Sequence, residues 1–439
     1  MMETIEYIKR MILNFHEQGK HELTVRDYDI SFIRDMSFSI TGPRRCGKSY
    51  RTYQFVQEYI LEGNEIENIC FLQFNDHKLR NLKSDKFNII DEAYYSIFPE
   101  KQNNQEIVFI FDELHRIDGW EDYVLYLLSN QNHKVLITGS TSKLMKGKIA
   151  SALRGKNFNR EMLPFSFKEF MRHYDNKTVK MTSKDEAYAK KCYETYFRQG
   201  GFPGLLDVDE FMHSEILENY WDTMLIRDIV EAHRTEEKMD IIQLELFATH
   251  LIDRISGPMT VRKIITNMRN SGYSISQKSG YNFLRYLEEA YLIFTISFYS
   301  PSEKIRAVNY YKVYSVDWNL AKCISSINLD PTRLFENLIF IELRRRGFKI
   351  SYFKTKDGYE IDFVVQDKRG KQEPQLFQVC YELSSEKVLE REIRSIEKSY
   401  KFLNAQSATI ITNNEEKTIK QNDIVITVIP AWKWLLKKN

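Results

Sequence analysis

The chain has 439 residues, which is long enough for about three domains, and its formal net charge of +2 neither demands nor forbids a nucleic-acid partner. Its 43% of hydrophobic residues suffices for packed cores, and no apolar run approaches the ~20 residues that a membrane-spanning helix needs. The scattered cysteines argue against a zinc site or a disulfide framework, and the N-terminus predicts an amphipathic helix, not a signal peptide. We therefore expect a cytoplasmic protein without a membrane span.

The first strong motif follows the apolar run 38–41, which predicts a buried strand, and precedes a helical pattern that includes Tyr53, Phe55 and Val56. The loop between them matches G-x-x-x-x-G-K-[ST] in the strand–loop–helix context that this phosphate-binding motif requires. Its glycines let backbone N–H groups face phosphate oxygens, and the helix N-terminus adds partial positive charge. We expect Lys48 to reach the β- and γ-phosphates of a nucleoside triphosphate and Ser49 to ligate Mg²⁺. The predicted nucleotide-binding residues are Gly42, Pro43, Arg44, Arg45, Cys46, Gly47, Lys48, Ser49 and Tyr50.

Two further strand patterns, 68–74 and 107–113, follow the motif, and the second ends in acids. A continuous apolar run ending in acids is typical of a central parallel strand whose carboxyl end faces a ligand. We predict that Asp112 holds Mg²⁺ through water and that Glu113 orients and deprotonates the attacking water. The alternative is an ordinary strand end, because many strands end in Asp.

The next strand pattern, 134–138, leads into a run of small polar residues. We predict that Ser140 contacts the γ-phosphate or the lytic water; the alternative is that it only caps the next helix. The acid pair, together with a strand that could lie between the P-loop strand and the acidic strand, indicates an additional-strand ATPase.

The segments ITGPRRCGKS, FIFDELHRIDGWED, LITGSTSKLM, LRGK, LPFSFKEF and GGFPGLL occur in that order. With them the chain resembles the prokaryotic AAA-type P-loop ATPases that end in a nuclease-like domain of unknown function. The resemblance implies ATP as the nucleotide and places Arg154 near the γ-phosphate of its own chain or of a neighbour in a homo-oligomer. It also implies a helical lid in which Pro203 sits against the base. The alternative for Arg154 is a solvated arginine, and the alternative for the segment around Pro203 is a simple helix–helix turn.

Residues 241–315 show a different pattern, with three predicted helices followed by a hairpin of strands 291–298 and 307–315. This order is typical of a winged helix. Basic and aromatic residues on its third helix could bind DNA, although winged helices also serve as packing modules. The candidate DNA-contacting residues are Lys278, Tyr281, Asn282 and Arg285.

The last part of the chain predicts a helix, 335–346, followed by strands that resemble the PD-(D/E)xK nuclease fold. An active site there would need Asp362 and Gln378 as metal ligands, but position 380 is cysteine where a lysine would activate water. Lys387 could in principle replace that lysine. We expect a degenerate domain used for binding or assembly. The predicted strands are 350–354, 360–366, 375–381, 408–412 and 424–429.

Together these patterns predict an α/β protein: an additional-strand P-loop NTPase core, a helical lid, a winged helix and a PD-(D/E)xK-like mixed α/β domain. The predicted function is a Mg²⁺-dependent ATPase that acts as a nucleotide-driven switch or motor and associates with DNA through the winged helix and C-terminal domain. The alternatives are a nucleotide-gated signalling scaffold that binds a protein partner and an ATP-regulated, metal-dependent nuclease. The predicted domain boundaries are 1–180, 181–238, 239–325 and 326–439.

Overall fold

In the computed structural model of the protein, the chain divides into two compact units. The first unit comprises residues 1–163 and 289–291, and the second comprises 164–288 and 292–439. The structure describes residues 2–18, 21–79, 82, 86–102, 105–117, 119–142, 152–175, 183–233, 239–383 and 385–437.

The first unit is built on a parallel five-stranded sheet in the order β2-β3-β4-β1-β5. The strand β4 lies between the P-loop strand β1 and the acidic strand β3, as the sequence predicted. The strands are β1 (Ser37–Thr41), β2 (Ile69–Gln73), β3 (Ile107–Asp112), β4 (His133–Gly139) and β5 (Asn157–Glu161). The helices are α1 (Met2–Glu17), α2 (Lys48–Leu61), α3 (Asn88–Ile97) and α4 (Trp120–Leu127).

The central strands of this sheet are buried on both faces, which explains their unbroken apolar runs. Alternate side chains of β3 enter different cores: Phe109 and Phe111 pack with one cluster, and Val108 and Ile110 with the other. This burial fixes the strand so that its carboxyl end, with Asp112, lies at the sheet edge that receives the P-loop.

In the second unit, helices 241–252, 261–270 and 277–289 accompany an antiparallel sheet in the order β6-β8-β7. The prediction of a strand starting at 307 was wrong, since residues 303–308 are helical and the strand starts at 311. The side chain of Ser302 accepts a hydrogen bond from Ile305 N, and this cap starts the helix there. The elements are α8 (Ile241–Ile252), β6 (Pro258–Met259), α9 (Val261–Asn270), α10 (Gln277–Glu289), β7 (Ile293–Ile296), α11 (Glu303–Val308) and β8 (Tyr311–Ser315).

The C-terminal part of this unit is a mixed six-stranded sheet in the order β13-β14-β12-β11-β10-β9. All five predicted strands are present, whereas β13 and the two helices α14 and α15 were not predicted. The strands are β9 (Lys349–Lys354), β10 (Glu360–Gln366), β11 (Gln375–Cys380), β12 (Ser407–Thr412), β13 (Lys417–Gln421) and β14 (Ile424–Pro430). The helices are α13 (Pro331–Arg345), α14 (Glu386–Leu403) and α15 (Ala431–Leu436).

The other α-helices among the described residues of the second unit precede these two sheets or link them. They are α5 (Phe167–Tyr174), α6 (Ser183–Gln199), α7 (His213–Thr223) and α12 (Trp318–Ile324). A search over the described part of the chain finds no helix long and apolar enough to cross a membrane.

Candidate nucleotide-binding site

The P-loop backbone has the shape of an anion-binding turn. A Cβ atom at Gly42 would lie 2.0 Å from the carbonyl oxygen of Met162, so only glycine fits there. Arg45 and Gly47 both have left-handed backbones, with φ of 64° and 96°, and Gly47 directly precedes α2. Left-handed residues within a turn of this kind point successive N–H groups into one concavity, where an anion can accept from several of them. The loop therefore has the conformation that its motif predicts.

Lys48 is folded back over this loop. Its Nζ donates to the carbonyl oxygens of Gly42 at 3.0 Å and Pro43 at 2.9 Å and lies 3.9 Å from Glu113 Oε1. The side chain is only 5% exposed. A buried ammonium whose direct partners are neutral carbonyl groups can exchange them for phosphate oxygens, which are stronger partners because they are charged.

Asp112 joins the acidic strand to the P-loop helix. Its Oδ2 accepts from Ser49 Oγ at 2.9 Å, and its Oδ1 accepts from Thr138 Oγ1 at 2.5 Å. Burial and the neighbouring Glu113 raise the pKa of Asp112, while the two hydroxyl groups oppose that shift. The hydroxyl and carboxylate oxygens of Ser49 and Asp112 are hard donors of the kind Mg²⁺ prefers, so this pair fits the predicted ion.

Glu113 lies among polar and basic side chains beyond the strand end. Its backbone is left-handed, with φ of 59°. Its Oε2 lies 3.7 Å from His115 Nε2, 3.6 Å from Arg116 Nε and 3.4 Å from the hydroxyl of Ser140. The Ser140 hydroxyl also lies 3.4 Å from His115 Nε2. The structure thus brings Glu113 and Ser140, both predicted site residues, into one cluster with two residues that were not predicted.

The charges around Glu113 decide its protonation. Burial alone would raise the pKa of Glu113, but the basic side chains of His115, Lys48, Arg44 and Arg116 outweigh it and lower that pKa to about 2. For His115, burial lowers the pKa to about 4 because it disfavours the charged imidazolium. The neighbouring cations act in the same direction, and Glu113 opposes the shift. At neutral pH the cluster therefore holds an ionised carboxylate beside a neutral imidazole.

Four residues that were not predicted from the sequence support this site: Arg26, Thr138, His115 and Arg116. Arg26 is buried and donates through Nη1 to Cys46 O and through Nη2 to Leu163 O, both at 2.7 Å. Thr138 also accepts a hydrogen bond from Glu113 N at 2.9 Å. A threonine inside the apolar run of β4 was a visible signal. Arg26 lies in a polar connector that reads as solvent-exposed, so nothing in the sequence marked it.

The structure places the other predicted residues as follows. Tyr50 is 60% exposed on the first turn of α2, where its ring packs against Tyr53. Arg154 lies on an exposed turn before β5 with φ of 51°. Pro203 begins a short 3₁₀ helix in the second unit. The roles of Arg154 and Pro203 stay predictions. The alternative in which Ser140 caps the next helix concerns residues 143–151, which lie outside the described residues.

The parallel sheet with an additional strand between the P-loop strand and the acidic strand defines an α/β P-loop ATPase fold. A family model described as an AAA domain matches residues 34–171. Models of two domains of unknown function match residues 190–331 and 332–434.

The chain is similar over nearly its whole length to two curated proteins, both described as uncharacterized. It is 33% identical over 438 residues to a protein of Methanocaldococcus jannaschii, covering 96% of this chain and 93% of that protein. It is 27% identical over 415 residues to a protein of Haemophilus influenzae, covering 93% and 95% of the two chains. The chain therefore belongs to a family of archaeal and bacterial AAA-type P-loop ATPases with C-terminal domains of unknown function.

Solved structures show more distant likeness. A Walker-type ATPase of Pyrococcus abyssi is 15% identical with a TM-score of 0.43, covering 73% of this chain and 95% of that chain. The ORC1 protein of Aeropyrum pernix, solved in complex with DNA, is 12% identical with a TM-score of 0.30, covering 76% and 91%. Likeness at this level supports no argument about function.

Proposed function

We propose that this chain binds ATP together with Mg²⁺ and hydrolyses the γ-phosphate bond, and that the cycle drives a switch or motor. The observation that supports this most directly is the convergence of Lys48, Ser49, Asp112 and Glu113 at one edge of the sheet. Ser49 Oγ and Asp112 Oδ2 are 2.9 Å apart, and Lys48 Nζ lies 3.9 Å from Glu113 Oε1. This set contains the phosphate-binding, metal-binding and water-orienting groups that phosphoryl transfer requires.

Each side chain has a role that its surroundings permit. Lys48 exchanges its two loop carbonyl partners for the β- and γ-phosphates. Ser49 and Asp112 would hold Mg²⁺, which, when bound, offsets phosphate charge. Glu113 orients and deprotonates the attacking water, and Ser140, whose hydroxyl lies 3.4 Å from Glu113 Oε2, contacts the γ-phosphate or that water.

The low pKa of Glu113 bears on its role as a base. A carboxylate with a pKa of about 2 is a weak base, because a general base works best with a pKa near the working pH. Lys48 is one of the cations that lower this pKa. When Lys48 pairs with phosphate, its charge is shared with a stronger anion, so the pKa of Glu113 rises. Nucleotide binding thereby activates the residue that the reaction needs.

The test uses two buried-site variants and two matched controls in the same unit. Lys48→Ala should abolish nucleotide binding, and Glu113→Gln should keep binding but stop turnover. Lys134 and Glu106 form an exposed ion pair, with 2.6 Å between Nζ and Oε1, so Lys134→Ala and Glu106→Gln should change neither property. Binding is measured by titration of a fluorescent ATP analogue and turnover by phosphate release. Unaltered binding in Lys48→Ala, or undiminished turnover in Glu113→Gln, would refute the corresponding role.

We further propose that residues 239–325 are a winged helix that associates with DNA. The element order α8-β6-α9-α10-β7-α11-β8, with β7 and β8 paired antiparallel, supports this. On α10, Lys278 and Arg285 are exposed, and Tyr281 is 48% exposed. Basic and aromatic side chains on one helix suit phosphate and groove contacts.

ATP turnover with duplex DNA, with single-stranded DNA and without DNA, at two salt concentrations, tests this association. Stimulation by DNA that weakens with salt is the expected result, because phosphate contacts release counterions. A Lys278→Glu variant should lose the stimulation and keep basal turnover. Turnover that is indifferent to DNA at both salt concentrations would favour the nucleotide-gated scaffold that binds a protein partner.

The remaining assignments are part of the same proposal. Residues 1–180 are the ATPase core, 181–238 the helical lid with Pro203 against the base, and 326–439 a degenerate nuclease-like domain. Arg154 completes the site in its own chain or in a neighbour of a homo-oligomer. Arg154→Ala should lower turnover and leave ATP affinity nearly unchanged, because an arginine of this kind acts on the transition state. Equal turnover in the variant would remove this role.

A further inference from the structure

A buried ammonium from strand β8 is surrounded by carboxylates of the C-terminal part of the chain. Lys312 lies on β8, and its Nζ is 3.1 Å from Glu336 Oε1, 2.9 Å from Glu360 Oε1 and 3.0 Å from Asp362 Oδ1. Its side chain is 2% exposed. The three acids come from helix α13 and strand β10, so the ammonium sits where side chains of two different elements converge.

The rest of this cluster is fixed by further hydrogen bonds. Glu336 Oε1 also accepts from the hydroxyl of Tyr314 at 2.7 Å, and Asp362 Oδ2 accepts from Val379 N at 3.0 Å. Glu360 Oε2 lies 3.5 Å from Nζ of Lys354, a partly exposed lysine. The carboxylates are therefore held in place from several sides.

The residues that a metal-dependent nuclease would use beside these acids already have hydrogen-bond partners, and Gln378 Oε1 accepts from Asp362 N at 3.4 Å. Gln378 donates through Nε2 to Glu392 Oε2 at 2.7 Å. The thiol of Cys380 donates to the carbonyl oxygen of Glu382 at 3.2 Å, and burial raises its pKa to about 12, so it is neutral. Neither side chain supplies the metal ligand or the ammonium that water activation requires.

We propose that Lys312 is the resident cation of a site formed by Glu336, Glu360 and Asp362, and that it occupies the position a divalent metal would need. The C-terminal sheet then acts as a packing or binding module fastened to β8, not as a metal-dependent nuclease. Two observations support this independently: carboxylates from α13 and β10 converge, and a buried ammonium occupies their centre.

The charges of the site predict what removal of Lys312 would do. Three carboxylates face one ammonium, so the ionised cluster keeps surplus negative charge in a buried place, which is costly. Without the ammonium, these oxygen ligands match the preference of Mn²⁺ for carboxylates in octahedral sites. Lys312→Ala should therefore create a divalent-cation site that the unaltered chain lacks.

The experiment is a Mn²⁺ titration followed by electron paramagnetic resonance, on the full chain and without nucleotide. Lys312→Ala should bind one additional Mn²⁺ at this cluster. Its affinity there should be at least about tenfold higher than that of the unaltered chain. The matched control Lys354→Ala removes a partly exposed lysine beside Glu360 and should gain nothing. The double variant Lys312→Ala/Asp362→Asn should lose the gained site. A folded Lys312→Ala that gains no Mn²⁺ would overturn the proposal.

A second measurement covers the case in which Lys312→Ala fails to fold. The thermal unfolding midpoint of the unaltered chain is measured without nucleotide, in chelator and in millimolar Mn²⁺. Any shift that Asp112→Asn removes is subtracted, because it comes from Mn²⁺ at the P-loop. After this subtraction the two midpoints should be the same. A Mn²⁺-dependent stabilisation that survives Asp112→Asn but is lost in Asp362→Asn would show that metal enters the site with Lys312 present, and this would overturn the proposal.

Discussion

Arg26 offers the sharpest test of how the P-loop is held in place. Its guanidinium donates to two backbone carbonyl oxygens, Cys46 O inside the P-loop and Leu163 O after β5, each at 2.7 Å. Its own backbone N–H donates to Gln54 Oε1 at 2.8 Å, which ties the connector to α2. The side chain is buried, so water does not replace these donors. Arg26 therefore bridges the loop to the far edge of the sheet.

Arg26→Ala removes both donors and leaves two buried carbonyl groups without them. An unsatisfied buried acceptor costs about 1–3 kcal/mol, so the two together predict a loss of about 2–6 kcal/mol in the free energy of unfolding. Domains are stable by only about 5–15 kcal/mol, so this is a large share. Arg26→Lys, which can reach one carbonyl at a time, should lose about half as much.

The matched control is Arg160, whose Nη1 donates to the carbonyl oxygen of Asp29 at 3.0 Å but whose side chain is 45% exposed. Water can replace that donor, so Arg160→Ala should cost less than about 1 kcal/mol. Urea unfolding and ATP titration are measured on all three variants. We expect Arg26→Ala to lose ATP affinity as well as stability, because the loop loses its support. Equal stability and equal ATP affinity in Arg26→Ala and Arg160→Ala would refute the reasoning.

Two more predictions concern buried polar contacts elsewhere in the chain. Thr138→Val keeps the side-chain shape but removes the hydroxyl that donates to Asp112 and accepts from Glu113 N. It should lower the free energy of unfolding in urea by about 1–3 kcal/mol and slow ATP turnover. Unchanged turnover would contradict the role given to this threonine. Burial raises the pKa of Glu336 from its usual 4.5 to about 7; Asp362 adds to this shift and Lys312 opposes it. The protonated form of Glu336 therefore stabilises the folded chain fully below pH 4.5, and this contribution is lost as the pH rises through about 7. Glu336→Gln should flatten the pH profile of unfolding in that window, and an unchanged slope would show that another group controls it.

The sequence predicted most of the first unit because its signals are local. The glycines and Lys48 of the P-loop and the apolar run ending at Asp112 each reflect a constraint that acts within a few residues. The contacts of Arg26 with Cys46 and Leu163 span 20 and 137 residues, and no local pattern encodes them. The same limit explains why the site around Glu113 was only partly foreseen.

The second unit shows the limit of local reasoning more clearly. The sequence identified Asp362, Gln378 and Cys380 as the diagnostic residues of a nuclease-like site. It gave no reason to place Lys312 among them, because this lysine belongs to a hairpin assigned to a different domain. Lys387, which was considered as a replacement although no sequence pattern supported it, is exposed on α14. An ammonium group does lie in the acidic site, but it belongs to Lys312, which is 24 residues before Glu336 and 50 before Asp362 in the chain.

The buried lysines Lys48 and Lys312 differ in a way that predicts where the chain responds to a ligand. The direct partners of Lys48 Nζ are two carbonyl oxygens, and the carboxylate of Glu113 lies 3.9 Å away. A phosphate can therefore displace these partners with a gain in charge pairing. Lys312 already has carboxylate oxygens within 3.1 Å, so an incoming anion offers it nothing better, and moving it would leave buried carboxylates uncompensated. We therefore expect a bound nucleotide to change the structure first at the P-loop, where Lys48 can leave its partners, while Lys312 keeps the hairpin and the C-terminal sheet together.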